Sequence, residues 1–116
     1  MKENVVKNKS FEFALRIVKS SKFLVAEKKE YVLSKQILRS GTAIGAMVRE
    51  AEHAESKADF IHKLSVALKE ANETEYWLEL LFMSEYIDKN VYEANASDLR
   101  EILRLLISII KSSKAK

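Results

Sequence analysis

No proline interrupts this chain of 116 residues, and only two glycines do. Average usage would supply about six prolines and about eight glycines. A chain so short of backbone breakers has little from which to build hairpins or irregular loops, and long helices remain. The length allows one compact domain, residues 1–116, with a core of its own.

Apolar periodicity places four helices at about 9–28, 31–54, 57–86 and 97–111. In the first, Phe11, Ala14, Leu15, Val18 and Val25 form one stripe, and Phe13, Ile17 and Leu24 form a second, displaced around the axis. Leu33, Ile37, Gly41, Ile44, Val48 and Ala51 line the second helix. The boundary before it is weakly marked, because Glu27 to Glu30 contains neither glycine nor proline. The third helix opens on Ser56-Lys-Ala-Asp59, a capping box with Asp in place of Glu. Residues 87–96 hold the turn formers Asp88, Asn90 and Asn95, so the fourth helix is predicted to start beyond them, capped by Asn95 or Ser97. Short connections make consecutive helices antiparallel neighbours. The predicted fold is an all-α, up-down-up-down antiparallel four-helix bundle.

One bundle does not need all this apolar surface. In the last helix Ile102, Leu103, Leu106, Ile109 and Ile110 span an arc of about 120°, which Leu105 and Ile107 widen to about 200°. Together with the second stripe on the first helix this predicts a homo-oligomer. Its interface residues are read as Phe13, Ile17, Leu24, Leu105 and Ile107.

The charge is mild in sum, +3, and uneven in place. Residues 1–39 carry ten Lys/Arg against four acids, residues 40–99 five against twelve, and residues 100–116 five against one. Oppositely charged helices lying side by side would account for the pattern; so would a basic surface for RNA or DNA built from the first and last helices. The candidate binding residues are Lys7, Lys9, Arg16, Lys19, Lys22, Arg100, Arg104, Lys111 and Lys114. No apolar run approaches membrane-span length. The first ten residues hold no signal-like apolar core, and there is no cysteine. These features fit a cytoplasmic protein without disulfides or a membrane partner.

No constellation reads as a catalytic centre. Gly41-Thr-Ala-Ile-Gly45 is a G-x-x-x-G inside a helix; a phosphate loop needs a strand before it and a helix start after it. Gly41 and Gly45 are therefore read as helix-packing positions. Glu50-x-x-His53 and Asp59-x-x-His62 have the spacing of di-metal ligands, but they flank one turn instead of facing each other in mid-bundle. No metal or cofactor is expected. Glu73 and Glu75 lie in an apolar stretch without a nucleophile or oxyanion donor; both are read as ion-pair partners, and Arg39 or Arg49 is the expected partner of Glu75. Tyr76 and Trp77 are read as core or interface rather than as base-stacking residues. The chain is expected not to be an enzyme.

The wording of three segments carries more. QILRSGTAIGAMVREAE from Gln36, SKADFIHKLSVALKEA from Ser56 and ETEYWLELL from Glu73 resemble the four-helix bundle protein family. Its members include proteins encoded in intervening sequences of bacterial 23S ribosomal RNA genes. The likeness is close over the second and third helices and extends to the rest by pattern. Met47 departs from it, standing where the family pattern has an asparagine. The resemblance implies a four-helix bundle assembling as a ring-like homopentamer, with no settled activity to carry over. The chain is more distantly similar to the accessory variability proteins of diversity-generating retroelements, basic pentameric barrels that bind nucleic acid and a reverse transcriptase. A nucleic-acid-binding oligomer is thus the first expectation. The alternative is a protein-binding scaffold whose acidic middle docks a nucleic-acid-processing partner.

Overall fold

The computed structural model describes residues 2–116. It contains four helices: α1 (Lys2–Ala26), α2 (Leu33–Glu52), α3 (Lys57–Met83) and α4 (Lys89–Ala115). No strand occurs among the described residues. α1 packs on α2 and α4, and α3 packs on the same two helices, giving a body of 47 × 21 × 19 Å.

The buried face of α1 runs through Val6, Ser10, Phe13, Ile17, Ser21 and Leu24. That corrects the predicted interface: Phe13, Ile17 and Leu24 are fully buried inside the bundle, while Phe11, Leu15, Val18 and Val25 face outward. The reason lies in the small residues on the buried line. A Cβ on Gly45 would sit 3.4 Å from the Ser10 carbonyl oxygen, and one on Gly41 would meet Ile17 Cγ2 at 2.9 Å. Ser21 Oγ donates to the Ser34 carbonyl at 3.4 Å. Two glycines and three serines thus let the two backbones close on each other, and the large residues of α1 fill what remains. Met47 is half-buried and packs against the core. Leu105 is half-buried on the core, whereas Ile107 stays 49% exposed.

Neither glycine serves a turn. The chain leaves α1 through Lys29 at φ 54° and leaves α3 through Glu85 at φ 66°. Both lie in the left-handed region that favours glycine. At the α3 end, Tyr86 N–H donates to Leu81 O and Glu85 N–H to Phe82 O, a Schellman closure without its usual glycine. After Lys29, the Glu30 carboxylate accepts from the backbone N–H groups of Val32, Leu33 and Ser34 at 3.1, 3.0 and 2.7 Å. It acts as an N-cap from outside α2, whose own N-cap residue, Val32, makes no side-chain bond. Burial alone would push the Glu30 carboxyl up, but the bonds to Leu33, Ser34 and Val32 outweigh it and hold the group below the ordinary carboxylate value.

α3 opens on its predicted serine cap, with the aspartate's return bond shifted one residue from a true capping box. Ser56 Oγ accepts from Asp59 N–H at 3.0 Å, and Asp59 Oδ2 accepts from Glu55 N–H at 3.2 Å. α4 begins eight residues before the predicted start. Its N-cap is Asp88, whose Oδ1 accepts from Val91 N–H at 2.8 Å, and the segment read as a turn is helical. Asn95, expected as a cap, lies inside the helix and buried; its amide donates to the Val91 carbonyl at 2.9 Å. Such a bond back to the preceding turn lets a polar side chain sit within a helix.

Candidate nucleic-acid interface

The nine predicted cations separate into two groups. Lys7 pairs with Glu52 at 3.0 Å, Lys9 with Glu101, and Arg16 with Asp98. These three are engaged at the α1–α2 and α1–α4 seams. The hydrogen bond that Lys9 donates to Glu101 raises the Lys9 pKa, and the same bond lowers that of Glu101, so the pair stays ionised through the neutral range. The other six, Lys19, Lys22, Arg100, Arg104, Lys111 and Lys114, are exposed and make no ion pair among the described residues.

Helix geometry organises the four on α4. At 3.6 residues per turn, positions 100, 104, 111 and 114 fall within an arc of about 80° and span about 21 Å along the axis. Exposed Ile107 lies in the same arc, and Glu93 meets the line only toward its N-terminal end. The two acids of this half of the helix, Asp98 and Glu101, point the other way, into the seam with α1. The outer face of α4 is therefore cationic because its carboxylates are engaged elsewhere.

The acidic middle resolves into pairs. Arg39 of α2 reaches Glu70 at 3.2 Å and also Glu73, and not Glu75, the partner expected for it from the sequence. Trp77 Nε1 donates to the same Glu73 carboxylate at 3.0 Å, which ties the half-buried indole to the α2–α3 seam. Tyr76 stands edge-on to Trp77 at 5.1 Å with most of its ring in solvent. Glu50 pairs with Lys63 at 2.9 Å, and that bond raises the lysine's pKa. Arg49 lies over the outward ring of Phe11, 4.9 Å from its centroid. No group of three or more His, Cys, Asp or Glu that could hold a metal occurs among the described residues. No helix among them is long and apolar enough to cross a membrane.

Sequence reasoning misses a cleft of about 660 Å³ where α1 meets the α3–α4 turn, lined by Lys19, Phe23, Lys28, Glu85, Tyr86 and Asp88 among others. Of these, only Lys19 stands among the predicted site residues. The remaining lining comes mostly from turn residues whose placement depends on the left-handed Glu85, and no local pattern announces that conformation in a glutamate.

A crystal structure of a protein of unknown function from the S23 ribosomal protein family of Bacteroides thetaiotaomicron is similar along almost its whole length. It is 68% identical, with a TM-score of 0.94, over 96% of this chain and 99% of that one. No curated protein matches. The description "23S rRNA-intervening sequence protein" belongs to a family model that matches residues 2–108, and the chain is a member of that family.

Proposed function

We propose that this protein is a non-enzymatic, homo-oligomeric helical bundle of the cytoplasm that binds RNA or DNA through basic surfaces with little sequence preference. The observation that carries the reading is the outer face of α4: Arg100, Arg104, Lys111 and Lys114 are aligned, exposed and unpaired, while Asp98 and Glu101 turn inward. A row of exposed cations suits a phosphate backbone and contains nothing that reads base edges. The family's description, which refers to 23S rRNA, agrees with such a ligand.

The reading takes the helices as up-down-up-down. Lys7 beside Glu52, Ile17 against Gly41 and Ser21 beside Ser34 set the start of α1 against the end of α2, and Phe82 stacks on Tyr92 across α3 and α4. It also takes copies to meet through the outward stripe Phe11, Leu15, Val18 and Val25, with Ile107 as a further apolar contact, closing a ring of five as the family resemblance implies. A row of exposed large apolar side chains on one helix is what a subunit contact would cover.

Two experiments test this. Fluorescence anisotropy with RNA and DNA oligonucleotides should give a log–log salt slope of about −3 to −4 if the four α4 cations each meet a phosphate. The double variant Arg100→Ala/Arg104→Ala should flatten it by about 1.5. Failure to bind either nucleic acid at about 50 mM salt rejects the ligand. Light scattering should show a multiple of 13.3 kDa that collapses to the single-chain mass in Leu15→Glu/Val18→Glu. A monomeric wild type rejects the oligomer.

A further inference from the structure

The cleft beside the α3–α4 turn points to a more specific ligand than the basic stripe does. Its volume, about 660 Å³, suits a small ligand. Phe23 is 44% exposed and with Tyr86 supplies the aromatic wall. A lone exposed phenylalanine would carry no message. Here it has cations on its rim, Lys19 and Lys28, and Glu85 and Asp88 as further lining. Lys28 Nζ stands over the Phe23 ring, 5.8 Å from its centroid. That lysine is an exposed occupant of the ring face, and a base stacking there would displace it toward a flanking phosphate. Asp88 is half-committed, one oxygen capping α4; Glu85 is exposed and makes no ion pair among the described residues.

We propose that this cleft receives one unpaired, amine-bearing base of a single-stranded nucleic acid. The base stacks on Phe23, its flanking phosphates lie on Lys19 and Lys28, and its exocyclic amine donates to the Glu85 carboxylate. The occupant follows from complementarity. A nucleotide is anionic at one end, flat and aromatic in the middle, and rich in N–H donors at the far edge, and the cleft offers cations, rings and carboxylates. Adenine, cytosine and guanine each carry an exocyclic amino group that donates to a carboxylate, whereas uracil and thymine have none and flank their single ring N–H with two carbonyls that a carboxylate repels. A duplex does not fit the arrangement, because its bases are stacked and their pairing edges are occupied. The inference rests on the nucleic-acid reading above and adds to it a strand state and a base preference.

The test compares labelled single strands of about 12 nucleotides, C-rich and U-rich, with a duplex of equal length, all read by anisotropy. Wild-type protein should prefer the C-rich single strand. Phe23→Ala should weaken single-strand binding by about 5- to 150-fold and leave the duplex unchanged. Glu85→Gln should erase the preference for C over U. Phe23→Trp provides a second readout that survives a misfolded alanine variant: its added fluorescence, above that of Trp77, should be quenched by the C-rich strand. Equal loss of single strand and duplex in Phe23→Ala, or an unquenched Phe23→Trp in a protein that still binds, overturns the cleft and leaves the basic-surface reading standing. Weaker binding by Arg100→Ala/Arg104→Ala that still prefers the C-rich strand is the pattern expected if the stripe supplies affinity and the cleft selects. A wild type that binds neither strand nor duplex removes both proposals.

Discussion

One face of α1 presents Phe13, Ile17 and Leu24, all fully buried. Another, about 145° around the axis by helix geometry, presents Phe11, Leu15 and Val18 to solvent. Of these Val18 is 36% exposed, Phe11 47% and Leu15 55%. The two lines are about equally hydrophobic, so hydrophobicity did not choose between them. The intervening residues did. The buried line contains Ser10 and Ser21, small enough to lie against α2; the Ser10 hydroxyl donates back to the Lys7 carbonyl of its own helix and the Ser21 hydroxyl to the Ser34 carbonyl of α2. The exposed line contains Lys22, between Val18 and Val25, and an unpaired lysine there would be costly to bury. A serine interrupts an apolar stripe harmlessly, and a lysine decides which way it faces.

The sharpest way to break this contrast is to truncate one residue from each line. Ile17→Ala should cost about 2–5 kcal/mol in denaturant unfolding, by lost transfer energy and a residual cavity. Leu15→Ala should cost about 0.5 kcal/mol or less when the unfolding is measured on dilute protein. Equal losses would show that the outward line is as much core as the inward one.

The two glycines test the seam itself. At Gly41 a methyl must displace the stiff, β-branched Ile17. Gly41→Ala should therefore destabilise by about 1–3 kcal/mol despite its better helix propensity. At Gly45 the new Cβ meets Ser10 at ordinary contact distance, and the propensity gain of up to about 1 kcal/mol should survive. Thermal unfolding of both variants should move the midpoint in opposite directions.

Glu30 bears on how α2 is held against α1. Glu30→Ala should lose about 1–2 kcal/mol, the range for an N-cap. Because the folded carboxyl is held below its ordinary value of 4.5, its contribution is complete above that pH and is lost as pH falls through the lower folded value. Wild-type stability should therefore fall more steeply below pH 4.5 than that of Glu30→Gln. The smallest effect belongs to the exposed α1–α4 seam, where Arg16→Ala should cost about 0.2–1 kcal/mol and less at high salt. A larger loss would mean that the seam is held by its charges and not by the apolar line beneath them.

Much of the fold is legible in the sequence. The absence of proline and the apolar periods dictate an all-helical chain of four segments, and Ser56-x-x-Asp59 marks the start of α3 to the residue. What escapes has a common cause. Lys29 and Glu85 adopt backbone angles that sequence reasoning assigns to glycine, and Glu30 caps from a position three residues before the helix. From sequence, both places read as weak or misplaced boundaries. The α4 start is missed because Asn90 and Asn95 look like turn formers, yet Asp88 has already capped the helix. For the candidate site, the cations can be named from sequence but not sorted. Whether Lys9 is free or engaged depends on Glu101 arriving beside it from the last helix. The cleft depends on a turn and α1 meeting, which no single segment encodes.

The inward turn of Asp98 and Glu101 has an electrical consequence. By pairing with Lys9 and Arg16 at close range, these acids contribute little to the distant field, while of the outer cations of α4 only Arg104 feels Glu101. A chain of net charge +3 therefore carries a more uneven field than that number suggests, positive along the outer face of α4. Such a molecule approaches a polyanion already oriented, and its association rate falls with added salt well before its contacts are formed.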